Sequence, residues 1–339
     1  MTTATVLSPP TTAAGPDRAR PGWQTAAKVL AAVLVLLLLG ALPYLVGPYG
    51  QQVGYRAMQL GAMAVAWNLL AGYGGLVSLG SAAFVGSGAY AATEIGNQAS
   101  VPVPLLLVLG AAMAALLALV ISPAMFRLRG LYFTVGTLAL AAALQILVIN
   151  LKTLGGASGR IVKTPAPADY VLYWYALGVG LLATAVVATL LALPTSLSLR
   201  AVRDDEDVAR DMGVRTFRTK LWAFMLSSAL IGMVGALQAI KLGAIEPYGA
   251  FGLNWTIDIV SATVIGGLGT KAGPWVGAVF YVLLAERLRD YPEWHVAITG
   301  ALVLLVIRFA PWGIWGTYAR KSRARSLTRH STRQEPTDA

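Results

Sequence analysis

Side chains able to do chemistry are sparse in this sequence, and most of them sit in one stretch. Residues 199–224, LRAVRDDEDVARDMGVRTFRTKLWAF, gather Arg200, Arg203, Asp204, Asp205, Glu206, Asp207, Arg210 and Asp211 between apolar runs. Nothing in the chain is expected to be catalytic. Cysteine is absent, which removes disulfides, thiolate metal sites and a thiol nucleophile. With two histidines, His295 and His330, and the second in the tail, neither a Ser-His-Asp triad nor a metal site is expected. There is no H-E-x-x-H and no G-x-x-x-x-G-K-[ST] phosphate loop, so no nucleotide cradle of the usual kind exists here. No cofactor is expected in this chain.

The remaining candidates are polar groups inside apolar runs. Asn68, Ser78, Ser81, Gln145, Asp258 and Ser261 are candidates for lining a path. Ionisable groups at membrane depth are costly and often functional. Asp258 is the best placed of them, and an interhelical partner such as Arg56 would account for it equally well. Two glycine runs, Gly72, Gly74, Gly75, Gly80 and Gly266, Gly267, Gly269, read as hinges.

These residues must be positioned by membrane helices. The chain is 57% hydrophobic and 12% charged, with mean hydropathy +0.66. Soluble domains carry about 25% charged residues, so the class is an all-α polytopic membrane protein. About ten spans (eight to ten) are expected, near 28–46, 53–71, 76–95, 103–126, 131–151, 170–193, 222–241, 256–268, 274–285 and 295–309. The eighth and ninth are shorter than the roughly 20 residues a crossing wants, and a broken or re-entrant element would also fit. Residues 1–24 read as a disordered cytoplasmic tail, 25–318 as the membrane domain with a polar loop over 194–222, and 319–339 as a basic cytoplasmic tail.

The net charge of +11 does not point to nucleic acid. On the ten-span assignment the basic residues concentrate on the side that holds both termini and the charged stretch, as the positive-inside rule requires. That stretch reads as one short helix lying across the cytoplasmic face. Asp204–Asp207 stand in its first turn, where the helix dipole favours negative charge, and Gly213 stands at its C-cap. The glycine runs also echo one another, which is compatible with a two-fold internal repeat. The residues alone leave open a channel, an ion-coupled carrier or the membrane part of a pump.

Four blocks carry a resemblance. They are NLLAGYGGLVSLGSAAF at 68–84 continuing to Gly86, Gly88 and Tyr90; RGLYFTVGTL at 129–138; RAVRDDE at 200–206 with Ala209, Gly213 and KLWAF at 220–224; and VIGGLGT at 264–270 with Gly273 and Pro274. In this order they resemble the branched-chain amino-acid permeases of ATP-binding cassette importers, the LivM-like branch, over about residues 50–312. Asp207, Arg210 and Asp211 stand where that family more often carries small or apolar residues. The resemblance implies a multi-pass permease of the bacterial plasma membrane working by alternating access. It implies two ATP-binding subunits inside, which bind the ATP and Mg, a second homologous permease subunit and an extracytoplasmic substrate-binding protein. Arg200, Arg203, Asp204, Asp205, Glu206, Ala209 and Gly213 match its ATPase-coupling segment. The outer charges Glu286, Arg287, Arg289, Asp290 and Glu293 would be available to the binding protein. An ion-coupled secondary transporter, or an importer of the same family for urea or amides, is the alternative.

Overall fold

The structure, a computed structural model, describes residues 22–289 and, beyond them, 298, 300, 301, 304–306, 308, 309 and 313–317. The expected N-terminal tail up to residue 21, seven of the fifteen residues of the tenth span, Asp290, Glu293 and the tail 319–339 lie outside the described residues. Contacts divide the chain into two compact units. The first contains α1 (Gly22–Leu45), which starts ahead of the expected 28.

The second unit is built of α2 (Pro48–Asn68), a π-helical turn (Leu69–Tyr73), α3 (Ser81–Gln98), α4 (Val103–Met125), α5 (Leu131–Asn150), α6 (Asp169–Ala192), α7 (Thr195–Asp204), α8 (Glu206–Asp211), α9 (Thr216–Leu242), α10 (Pro247–Ala250), α11 (Leu253–Gly266) and α12 (Gly273–Arg287). Two short strands, β1 (Arg160–Ile161) and β2 (Ala244–Ile245), pair antiparallel with Arg160 opposite Ile245. Among the described residues α4, α5, α6 and α9 are long and apolar enough to cross a membrane.

Burial explains why α2 and α3 read as polar and glycine-rich. Every residue from Ala57 through Tyr73 is buried, so protein and not lipid surrounds this helix. It packs against α6, α9, α11 and α12. The small residues of α3 let it sit against α4 and α9, and a Cβ on Gly88 would lie 2.1 Å from the carbonyl oxygen of Gly232. Such close backbone approach is what small residues provide where the hydrophobic effect between helices is weak. Phe84, Phe126, Phe133 and Phe224 lock α3, α4, α5 and α9 together, with Phe84 and Phe224 edge-to-face at 5.3 Å.

Helices α11 and α12 have 14 and 15 residues, about 21–22 Å at 1.5 Å per residue, short of a hydrocarbon core of roughly 30 Å. They form an antiparallel hairpin. A Cβ on Gly277 would meet the Ala262 carbonyl oxygen at 1.8 Å, so glycine is what lets the two backbones touch.

Two expectations change. The third helix begins at Ser81 and not near 76, because the π turn and the irregular stretch 74–80 intervene. The charged stretch is not one helix with Asp204–Asp207 in its first turn. Helix α7 ends at Asp204, and Asp205 is the N-cap of α8, its carboxylate accepting from the N–H groups of Asp207 and Val208 at 2.9 and 3.1 Å. An aspartate satisfies the orphan donors of a new helix better than it continues an old one. Gly213 closes α8 as expected. With φ +85°, it lets its own N–H reach the Arg210 carbonyl and the Val214 N–H reach the Ala209 carbonyl, a Schellman termination.

Candidate coupling junction and transport cavity

The helix ends of the second unit gather at two poles. At one pole lie α7, α8 and the glycine-rich turns. Arg203 projects from α7 and donates through its guanidinium to the Gly72 carbonyl oxygen at 2.5 Å, inside the π turn. A π turn leaves the regular i→i−4 ladder, so its carbonyls are open to side-chain donors. Asn68, one turn earlier, accepts from the Gly269 N–H at 2.8 Å and donates to the Thr270 carbonyl at 2.9 Å. A Cβ on Gly72 would meet the Gly269 nitrogen at 2.6 Å. The two glycine runs of the sequence thus meet, stapled by Asn68 and capped by Arg203.

The same stretch is anchored elsewhere by charge. The buried Lys220 of α9 donates to Glu206. Arg129, in the turn before α5, reaches Asp207 with both guanidinium nitrogens at 3.0 and 3.2 Å. That contact holds the Asp207 carboxyl below the usual carboxylate range and raises the Arg129 guanidinium. Ala209 is buried, while Val208, Asp211 and Met212 stand exposed. Arg200 lies over the Tyr73 ring at 5.9 Å.

At the opposite pole, Arg160 pairs with Glu94 at 2.7 Å, and Tyr49 and Arg56 reach Glu286 at 2.6 and 3.4 Å. A cavity of about 380 Å³ opens here between α2, α9, α11 and α12. Asp258 lines it and accepts from the Tyr281 hydroxyl at 2.5 Å. Gln59 donates to Gln238 at 2.9 Å on the same wall, and Lys241 sits over the Tyr55 ring at 3.8 Å.

The family model "Branched-chain amino acid transport system / permease component" matches residues 51–307. The chain belongs to that family. The permease is 26% identical to the high-affinity branched-chain amino acid transport system permease protein LivM of Escherichia coli over 313 residues, 83% of this chain and 73% of that one. It is 29% identical to the autoinducer 2 import system permease protein LsrC of Klebsiella pneumoniae, over 60% of this chain and 61% of that one. It is 28% identical to the xylose transport system permease protein XylH of Haemophilus influenzae, over 36% of this chain and 35% of that one. No solved structure matches the permease.

The residues expected on a path fall in different places. Asp258 faces the cavity. Asn68 belongs to the junction. Ser78 is buried, its hydroxyl accepting from the Gly80 N–H at 3.2 Å, and Ser81 and Ser261 are buried nearby in sequence to the glycine-run helices without lining the cavity. Gln145 donates to the Pro247 carbonyl at 3.4 Å. Asp258 bonds Tyr281 across the hairpin, whereas Arg56 goes to Glu286. Sequence reasoning missed Gln238, Tyr55 and Tyr281 as cavity residues. The glutamine inside the apolar α9 was the available signal.

Proposed function

We propose that this permease is a membrane subunit of an ATP-binding cassette importer for branched-chain or related amino acids, and that Arg203 couples its charged stretch to its helical core. It spans the bacterial plasma membrane about ten times with both termini in the cytoplasm. The basic residues of the charged stretch, 127–129 and the C-terminal tail then fall inside, in keeping with the positive-inside rule. The contacts agree with this orientation, since Arg129–Asp207 and Arg203–Gly72 join segments assigned to one side and Arg160–Glu94 joins segments assigned to the other.

Two ATP-binding subunits dock on the cytoplasmic side and carry the ATP and Mg. A second homologous permease completes the membrane part, and an extracytoplasmic binding protein delivers the solute. The name of the LivM relative supports the amino-acid assignment. The coupling residues are Arg200, Arg203, Asp204, Asp205, Glu206, Ala209 and Gly213. Glu206 and Asp207 tie the stretch to α9 and α5, leaving Val208, Asp211 and Met212 for the ATP-binding partner. When that partner closes, α7 moves and Arg203 carries the displacement to Gly72. The Asn68 staple passes it to Gly269 and the α11–α12 hairpin, so the glycines act as hinges.

The observation that carries this reading is the Arg203 guanidinium on the Gly72 carbonyl, where both glycine runs meet. Replacement by Arg203→Gln removes a charge-assisted hydrogen bond worth about 1.5–3 kcal/mol. In vesicles holding the assembled importer, amino-acid uptake is expected to fall about tenfold or more while ATP hydrolysis continues. Equal loss of uptake and hydrolysis, or loss of neither, refutes the coupling role.

A further inference from the structure

We propose that the groove between the end of α6, the start of α7 and the first turns of α9 holds one anionic phospholipid from the leaflet on that side. Arg218 takes the phosphate, the Ser196 and Ser198 hydroxyls donate to the headgroup, and a wall that includes Leu69, Leu190 and Leu226 receives an acyl chain. The proposal requires the chain to sit in a bilayer. It does not depend on which solute the permease moves or on what drives the transport.

Shape and charge lead there together. The groove has a volume of about 420 Å³, within the roughly 300–1,000 Å³ of small-molecule sites. Helices α6 and α9 are both long and apolar enough to cross a membrane, and the groove lies where the first ends and the second begins. It therefore stands at the edge of the hydrocarbon layer. On α9 the lining residues are Arg218, Thr219, Trp222, Ala223 and Leu226, one helix face that is polar in its first turn and apolar beyond it. At 1.5 Å per residue, Leu226 lies about 12 Å along the axis from Arg218. That is the polarity of a lipid, with a head at one end and a chain running inward. No carboxylate lines the groove, and among the described residues Arg218 forms no ion pair. Arg203, Arg210 and Lys220, its neighbours in the charged stretch, all have partners. Trp222, 63% exposed, stands on the same face, and tryptophan concentrates at the membrane–water interface. Acyl chains fill any apolar groove that faces lipid. An uncompensated guanidinium at its mouth selects the headgroup, as basic pockets between membrane helices do.

The test uses the full-length permease in phosphatidylcholine nanodiscs. The probe is a small fraction of phosphatidylglycerol carrying a photoreactive group in one acyl chain, compared with phosphatidylcholine carrying the same group. Both lipids have a phosphate, but the choline ammonium offsets one of them. Phosphatidylglycerol is expected to cross-link to residues 190–193 and 222–226 about fivefold more than phosphatidylcholine at equal mole fraction, the factor that one basic residue is worth toward acidic lipid. Arg218→Gln removes the difference, and Arg218→Lys keeps at least half of it. Arg127→Gln, at an exposed cation two residues from the Arg129–Asp207 pair, leaves it intact. Should Arg218→Gln fail to fold, Ser196→Asp sets a repelling charge in the same groove and gives the same loss. Equal cross-linking of the two lipids there, cross-linking confined to other segments, or a preference that survives Arg218→Gln overturns the site. So does a lipid signal that vanishes once ATP-binding subunits or a second permease are added, since a protein then covers the groove.

Discussion

At the pole carrying α7 and α8, polar side chains are tied to backbone. Arg203 ends on the Gly72 carbonyl, Asn68 on Gly269 and Thr270, and Asp205 on two amide groups of α8. At the other pole, Asp258, Gln59, Gln238 and Lys241 meet other side chains around a cavity. Side-chain-to-backbone bonds fix one main-chain geometry, so the first pole is a tied joint. Side-chain-to-side-chain bonds at the second pole instead surround open space, a chamber of about 380 Å³. One element belongs to both. The α11–α12 hairpin offers Gly269 to the joint and Asp258 with Tyr281 to the chamber.

Breaking the hairpin should therefore damage both poles, and it is the largest effect expected. Gly277→Leu drives a side chain into the Ala262 carbonyl, and overpacking of this kind costs about 1–3 kcal/mol or more. A marked drop in melting temperature and in recovered folded protein is expected from thermal unfolding in detergent. A melting temperature within experimental scatter of the parent would mean that the two backbones do not touch there.

Breaking the joint alone should be milder. Asn68→Ala strips the half-buried Gly269 N–H and Thr270 carbonyl of their partner, a loss of about 1 kcal/mol. Hydrogen exchange should speed up in the turn 267–272 and stay unchanged around Tyr281 and Asp258. Equal acceleration at both poles would erase the distinction between joint and chamber.

The smallest effect concerns the exposed tie between Arg129 and Asp207. Its sign follows from the depressed Asp207 carboxyl: any stabilisation is complete above the ordinary aspartate value of about 3.9 and is lost as pH falls through the lower folded value. Between pH 5 and 8 this pair does not titrate, so Asp207→Asn and the parent should show parallel uptake profiles there, differing by about twofold at most. A profile whose slope in that window disappears in Asp207→Asn would show that the pair does more than hold α8 in place.

Much of the fold was legible because lipid imposes simple rules. Long apolar runs marked α4, α5, α6 and α9, and the order of four motif blocks matched the family that the comparison found. Boundaries failed where side chains compete for backbone. Asp205 turned one charged helix into two, and the π turn delayed α3. The path residues were legible only in part, because a polar residue in an apolar run announces that it needs a partner and not which one. Asn68 found backbone, Gln145 found the Pro247 carbonyl and Asp258 found Tyr281 beside a cavity.

The sequence by itself determined the membrane class, the charged stretch between apolar runs, the two glycine runs and the family. Each depends on residue type and spacing along the chain. Only the tertiary structure decided that the glycine runs touch one another under Arg203, and that Asp258, Lys241 and Gln238 share one concavity. These contacts join residues far apart in the chain, and such partners are chosen by which backbones can approach closely enough to pack. Gly72 and Gly277 permit that approach, but glycine in a sequence does not say what it will meet.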